Sequence, residues 1–148
     1  MTSEILIKKL QKHDLAGLKA LYEDAFNSET DFDKMTQIYK LIEHNENYIV
    51  LCAFLDEKII GSILGAICHE LIGNCTPFLV MEDIAVLSTH RRLGVAKKLI
   101  KELEEQARIK NCNMILFVSS EHRIGAHKLY ESLGYNTDKV NGYRKRLS

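Results

Sequence analysis

The 148-residue chain has no tryptophan, one proline (Pro77) and no net charge, its 20 Lys and Arg being matched by 20 Asp and Glu. One proline and eight scattered glycines exclude a collagen-like or low-complexity chain. No apolar run approaches the ~18 residues that a bilayer-spanning helix needs. The opening Met1-Thr-Ser-Glu-Ile5 lacks the basic and apolar blocks of a secretory leader, so a cytoplasmic protein with no membrane partner is expected. Zero net charge argues against a general nucleic-acid binder. Cys52, Cys68, Cys75 and Cys112 form no C-x-x-C pair. Three of them sit in apolar strand-like runs, which reads as reduced, buried thiols rather than disulfides or a zinc site. The six histidines contain no H-x-x-x-H pair. His122 and His127, five apart, would point in different directions on a helix, so no metal is expected.

What is present is the balance of an ordinary folded domain, 46% hydrophobic and 27% charged, at a length that suits one domain (1–148) with a real core. The zero charge is unevenly distributed. Residues 1–74 carry 7 basic and 12 acidic side chains, a balance of −5; residues 75–148 carry 13 and 8, a balance of +5. Opposite halves suggest two ligands of opposite charge, although chance scatter of surface residues gives the same picture.

Periodicity supplies the elements. Glu4–Lys9 alternates as an edge strand. Asp14 is a candidate N-cap for a helix burying Leu15, Leu18, Leu21, Tyr22, Ala25 and Phe26. The polar stretch Asn27–Asp33 precedes a second helix with Met35, Ile38, Tyr39 and Ile42 on one face. Tyr48–Leu55 and Ile59–Cys68 read as an antiparallel hairpin turning at Asp56-Glu57-Lys58, and Gly61 and Gly65 mark a bulge or a close backbone approach. Phe78–Leu87 is a further strand. The strongest helix follows, starting at Arg91 with Leu93, Ala96, Leu99, Ile100, Leu103 and Ala107 on its stripe. Met114–Val118 reads as a short buried strand, a last helix carries Ala126, Leu129, Tyr130 and Leu133 and stops at Gly134, and Tyr143–Leu147 is expected to close the order as a strand. The result, β-α-α-β-β-β-α-β-α-β, is a single α/β domain with a mixed, mostly antiparallel sheet flanked by helices.

The chemically informative stretch is Met81–Ile100. A strand runs through a short polar turn into Arg91-Arg92-Leu93-Gly94-Val95-Ala96, the start of a helix. A helix N-terminus presents unpaired amides and partial positive charge, and the small Gly94 and Ala96 let a bulky anion approach them. The spacing is neither a phosphate-binding G-x-x-x-x-G-K-S/T loop nor a dinucleotide G-x-G-x-x-G. By itself, a basic helix start is also the commonplace feature of a solvated helix.

Arg91-x-x-Gly94-x-Ala96 after the strand Glu82–Val86 resembles the acetyl-CoA motif Q/R-x-x-G-x-G/A of the GNAT superfamily of N-acetyltransferases. Ala126-His-Lys-Leu-Tyr130-Glu-Ser-Leu-Gly134-Tyr135 resembles that family's second signature, about 35 residues further on, and the turn Asp56–Gly61 is of its style. The resemblance spans nearly the whole chain. It implies a V-shaped opening between the strands Val80–Val86 and Met114–Val118, in which the pantetheine arm of acetyl-CoA, the co-substrate, lies. The backbone of Ile84, Ala85 and Val86 would bind that arm, with the Ile84 amide on the acetyl carbonyl. Amides of Arg92, Leu93, Gly94, Val95, Ala96 and Lys97 would hold the pyrophosphate, with Arg91 at the basic position. Tyr130 matches the tyrosine that protonates the departing thiolate; without the resemblance it reads as a core aromatic. Glu82 is the candidate base, or the entry to a water relay. It lies two residues before Ile84 and hence on the same strand face, although a solvated edge carboxylate is the plain alternative. Asp83 would face the other way as a structural group. Where many members have Asn, this chain has Arg123, within Glu121-His122-Arg123, which replaces an amide contact with a cation able to reach a CoA phosphate.

The implied activity is transfer of an acetyl group to a primary amine of a small molecule by direct attack. Local likenesses to aminoalkylphosphonate and glucosamine-phosphate acetyltransferases do not fix the acceptor. Its pocket is expected among the first two helices and their loop, around Tyr22, Phe26 and Phe32. Two rivals remain: a catalytically silent acyl-CoA sensor, and a nucleic-acid module using Arg91, Arg92, Lys97, Lys98 and Lys101. Against the second, Glu102, Glu104 and Glu105 interleave those cations and no aromatic platform accompanies them. Members of the family are often homodimers, a point the sequence leaves open.

Overall fold

A computed structural model describes residues 3–119, 123–136, 138 and 140–148. It divides into two compact units, Met1–Leu116 and Phe117–Ser148.

The first unit is built on five strands in sequence order: β1 (Leu6–Lys9), β2 (Tyr48–Leu55), β3 (Lys58–Cys68), β4 (Phe78–Val86) and β5 (Ile115–Leu116). All neighbours are antiparallel except β4 and β5, which run parallel. The β2–β3 turn is tight because Asp56 and Glu57 both take positive φ (50° and 66°), the geometry that matches strand twist in a two-residue hairpin. One face of the sheet carries helix α1 (Leu15–Phe26), with α2 (Phe32–Ile42) beside it. Leu15, Leu18 and Leu21 bury themselves there against Val50, Cys52, Ile59 and Ala85. The other face carries α3 (Val95–Ile109), whose Val95, Leu99, Ile100, Leu103 and Ala107 are buried.

Gly61 and Gly65 explain how closely α3 approaches. A Cβ on Gly61 would lie 2.7 Å from a Val95 methyl and 3.2 Å from the Ala85 carbonyl oxygen; one on Gly65 would lie 2.8 Å from a Leu103 methyl. Gly61→Ala is therefore expected to cost about 1–3 kcal/mol by overpacking, read as a lower midpoint in urea unfolding; a change under about 0.5 kcal/mol would contradict this packing.

Several expectations are corrected. Asp14 does stand at the N-cap of α1, but without a side-chain cap; its carboxylate accepts the Gln11 N–H at 2.9 Å and closes a 3-10 turn at Lys12–Asp14. The side-chain cap is instead at α2, where Asp31 accepts the Lys34 N–H. α3 begins at Val95 and not at Arg91, because Arg92 and Gly94 are left-handed (φ 64° and 77°); Leu93 is 53% exposed and lies off the stripe. The strand expected over Met114–Val118 is reduced to two residues, and Met114, Leu116 and Val118 are exposed. Only Cys52 is a buried thiol; Cys68 and Cys75 are exposed and Cys112 is intermediate.

In the second unit, α4 spans Ile124–Ser132, and Gly134 (φ 91°) ends it as expected. The closing strand at Tyr143–Leu147 does not form. Its two large apolar residues are about nine-tenths exposed, and the consecutive cations Arg144, Lys145 and Arg146 leave that stretch little to bury.

Candidate active site

The site in the first unit is organised by a fault in β4. Met81 and Glu82 pair with Gly65 and Leu64, whereas Ala85 and Val86 pair with Ser62 and Gly61, so β4 holds one residue more than β3 between these points. The extra residue falls at Asp83–Ile84, and Asp83 takes φ 53°. Such a bulge re-aims side chains and breaks strict alternation. The expectation that Glu82 shares a face with Ile84 is therefore overturned: Leu64 and Ser62 lie on one face of β3, so their partners Glu82 and Ala85 share a face of β4. Asp83 is not turned away as a purely structural group either. It lines a cleft of about 170 Å³ with Tyr22, Phe26, Ser28 and Thr30. Tyr22 and Phe26 were expected there; Phe32 is not part of the lining. That volume suits one ring or the reacting end of an acceptor, being smaller than the several hundred Å³ of a pocket enclosing a whole drug-sized ligand.

The cleft is acidic and its phenol is held neutral. Burial pushes the Tyr22 hydroxyl up to about 12, Asp83's charge adds to this, and a hydrogen bond with the fully buried Ser62 works against it. Burial also raises the Asp83 carboxyl. Glu82 is raised first by burial and second by the neighbouring Asp83. Two adjacent carboxylates that resist ionisation gain from an incoming cation. The cleft's loop is tied to α1 by Glu23, which accepts the Thr30 N–H and the Lys19 ammonium.

The bulge also sets the backbone edge. Leu79 N–H donates to Met114 O on the β5 side, and Leu87 N–H donates to Ile60 O on the β3 side. Alternation back from Leu87 turns the Ile84 and Val86 amides toward the β5 side. β5 pairs only through Leu79–Ile115 and Val80–Leu116, so no strand among the described residues covers that edge past Val80. This is one arm of the opening that the family resemblance implies. Beyond it, Ser88–His90 forms a 3-10 turn and Arg91–Leu93 lead to Gly94. The first α3 backbone bond is Lys98 N–H to Gly94 O, and no side chain caps the helix, so Val95, Ala96 and Lys97 present amides without helical acceptors. Gly94 has open space around its Cα; its positive φ is what demands glycine. An uncapped N-terminus beside Arg91 and Arg92 fits a pyrophosphate, and the open β4 edge fits an amide-bearing arm, so the residues suit acetyl-CoA.

Tyr130 and Arg123 belong to the second unit. Tyr130 is buried, edge-on to Phe117 (centroids 4.7 Å apart, 72°), and Phe117 in turn meets Tyr135 (5.2 Å, 67°). Burial raises the Tyr130 hydroxyl and the Arg123 charge partly offsets this. Arg123 is exposed and sits at the N-cap position of α4. Glu121 and His122, singled out with it, lie outside the described residues. No group of three metal-ligating side chains occurs among the described residues, and none of their helices is long and apolar enough to cross a membrane.

Residues 15–135 match the acetyltransferase (GNAT) family. An aminoglycoside N(6′)-acetyltransferase type 1 of Salmonella typhimurium is 32% identical over 64% of this chain and 67% of its own length. One from Acinetobacter haemolyticus is 27% identical over 81% of this chain and 84% of its own. Among solved structures, aminoglycoside N-acetyltransferase AAC(6′)-Iy in complex with CoA superposes with a TM-score of 0.82 at 26% identity, covering 99% of this chain and 97% of that one. With the mixed sheet, the uncapped α3 and both motifs in place, the chain belongs to the GNAT family of acetyltransferases. It is an acetyl-CoA-dependent N-acetyltransferase.

Proposed function

We propose that the acceptor is an aminoglycoside or a similar polyamino sugar, acetylated at an amino group such as the 6′ position by direct attack. The observation that carries this is the acidic cleft: Asp83 lines it, Glu82 precedes Asp83 in the strand and feels its charge, and both carboxyls are raised. An ammonium entering there relieves the repulsion between them, and a polycation suits the −5 balance of residues 1–74. The names of the relatives point to the same acceptor class. They favour it over the phosphorylated or phosphonylated amines that the local likenesses brought forward.

In this mechanism Glu82, directly or through water, takes the proton from the ammonium. The freed amine attacks the thioester carbonyl carbon, forming the C–N bond. The Ile84 amide donates to the carbonyl oxygen as negative charge develops there. The C–S bond then breaks, Tyr130 gives its proton to the departing thiolate, and the surplus proton on the new amide nitrogen leaves through water and restores the Tyr130 phenol. The Ile84–Val86 backbone holds the pantetheine arm, the amides and cations of Arg91–Lys97 hold the pyrophosphate, and Arg123 reaches a CoA phosphate.

The test is release of CoA thiol from acetyl-CoA across a panel of aminoglycosides, simple amines, peptides and aminophosphonates. Turnover is expected to be fastest with aminoglycosides bearing a 6′-amino group. Preference for aminophosphonates would overturn the acceptor assignment. Silence across the panel despite tight CoA binding would favour the sensor reading.

A further inference from the structure

Helix α1 reaches two parts of the site. Tyr22 and Phe26 line the acceptor cleft, while Asp24, between them in sequence, reaches the turn that follows β4. Its Oδ2 accepts the Ser88 backbone N–H at 2.7 Å and its Oδ1 accepts the Ser88 hydroxyl at 2.9 Å, across 64 residues of chain. Both oxygens of one carboxylate thus hold one residue. The Ser88 N–H first, and its hydroxyl second, keep that carboxyl below the usual carboxylate range, as expected for charge-assisted bonds.

Ser88 begins the segment that ends at Gly94, where α3 starts. That segment contains the left-handed residues Arg92 and Gly94, and α3 anchors its far end through buried Val95 and Leu99. Its near end is held by Leu87 N–H on Ile60 O and by Asp24 on Ser88. Between two such anchors, a short irregular run keeps one course. Electrostatics alone would not favour a carboxylate here: Asp24 carries the same sign as a CoA phosphate, and Arg91 and Lys58 supply the opposing charges near it. Its value to an anion site is therefore geometric.

We propose that Asp24 is a positioning residue: by clamping Ser88 it fixes the course of residues 88–94 and registers the pyrophosphate site to the helix that lines the acceptor cleft. This rests on the reading of Arg91–Lys97 as the pyrophosphate site.

The experiment measures CoA binding by calorimetry, KM for acetyl-CoA, kcat and the melting temperature for Asp24→Ala, Asp24→Asn and Gly94→Val. Asp24→Ala is expected to weaken CoA binding ~10-fold, the loss of roughly one charge-assisted hydrogen bond. KM for acetyl-CoA should rise more than kcat falls. Asp24→Asn keeps one acceptor for the N–H and one hydrogen-bonding group for the hydroxyl, and should restore affinity to within ~3-fold of the parent. Tighter CoA binding in both Asp24 variants, or an equal loss in both, would assign the effect to charge and overturn the clamp. A lower melting temperature with unchanged CoA affinity would make the contact merely structural, which also overturns it. Gly94→Val separates the two levels. If it abolishes tight CoA binding while Asp24→Ala does not, only the clamp fails; if it leaves CoA binding intact, the pyrophosphate reading itself fails.

Discussion

Tyr130→Phe is expected to lower kcat about 10²–10³-fold, the usual worth of a positioned general acid, while CoA affinity stays within ~2-fold. The substitution removes one oxygen and leaves the ring that packs edge-on against Phe117. Packing should therefore be kept, and the loss should appear in turnover. Burial holds the hydroxyl above its ordinary value, so it is protonated at neutral pH and able to donate. Arg123 draws it back toward that value, which makes it a better acid than burial alone would allow. Steady-state kinetics at saturating acetyl-CoA check this. Unchanged kcat would remove Tyr130 from the mechanism and return it to the role of a core aromatic.

Glu82→Gln is expected to lower kcat/KM about 10²-fold or more at neutral pH and to remove the acidic limb of its pH profile. In the parent that limb should lie above the usual carboxylate range, because burial first and Asp83 second both disfavour the ionised form. The same shifts have a consequence for stability. A carboxyl raised in the folded state binds its proton more tightly there than in the unfolded chain. The stabilisation is complete below the ordinary carboxylate range and is lost as pH rises through the raised folded values. Above that window Glu82 is held ionised at a cost to the fold, so Glu82→Gln should raise the melting temperature there as it lowers activity, a trade common at active sites. An acidic limb that survives Glu82→Gln would transfer the base role to Asp83, which lines the cleft itself.

Much of this was legible in the sequence where a local rule has a single outcome. The β2–β3 hairpin, the close approach at Gly61 and Gly65, and the end of α4 at Gly134 follow from turn chemistry and residue size alone. The two motifs located Gly94 and Tyr130. What stayed hidden depends on pairing between distant segments. Alternation assigns Glu82 and Asp83 to opposite faces, and only the register of β4 against β3 reveals the extra residue that brings Asp83 to the cleft. The Glu-Asp pair in an otherwise apolar strand was the available signal. Ser62 is a small residue beside Gly61 in β3, and the sequence shows nothing of its bond to Tyr22. Asp24 reads as a solvated helix acid, and its partner lies 64 residues away. The missing strand at Tyr143–Leu147 shows the converse: a closing strand was expected, but three adjacent cations left too little apolar surface to bury.

The central claim is that this chain joins an acetyl group to an amine held in the Asp83 cleft. Its most direct test is mass spectrometry of an aminoglycoside with a 6′-amino group after incubation with the protein and acetyl-CoA, with CoA thiol titrated in parallel. The expected result is one acetyl group gained per CoA released, with the rate sharply reduced by Glu82→Gln. Unmodified aminoglycoside in the presence of a protein that binds acetyl-CoA tightly would contradict it.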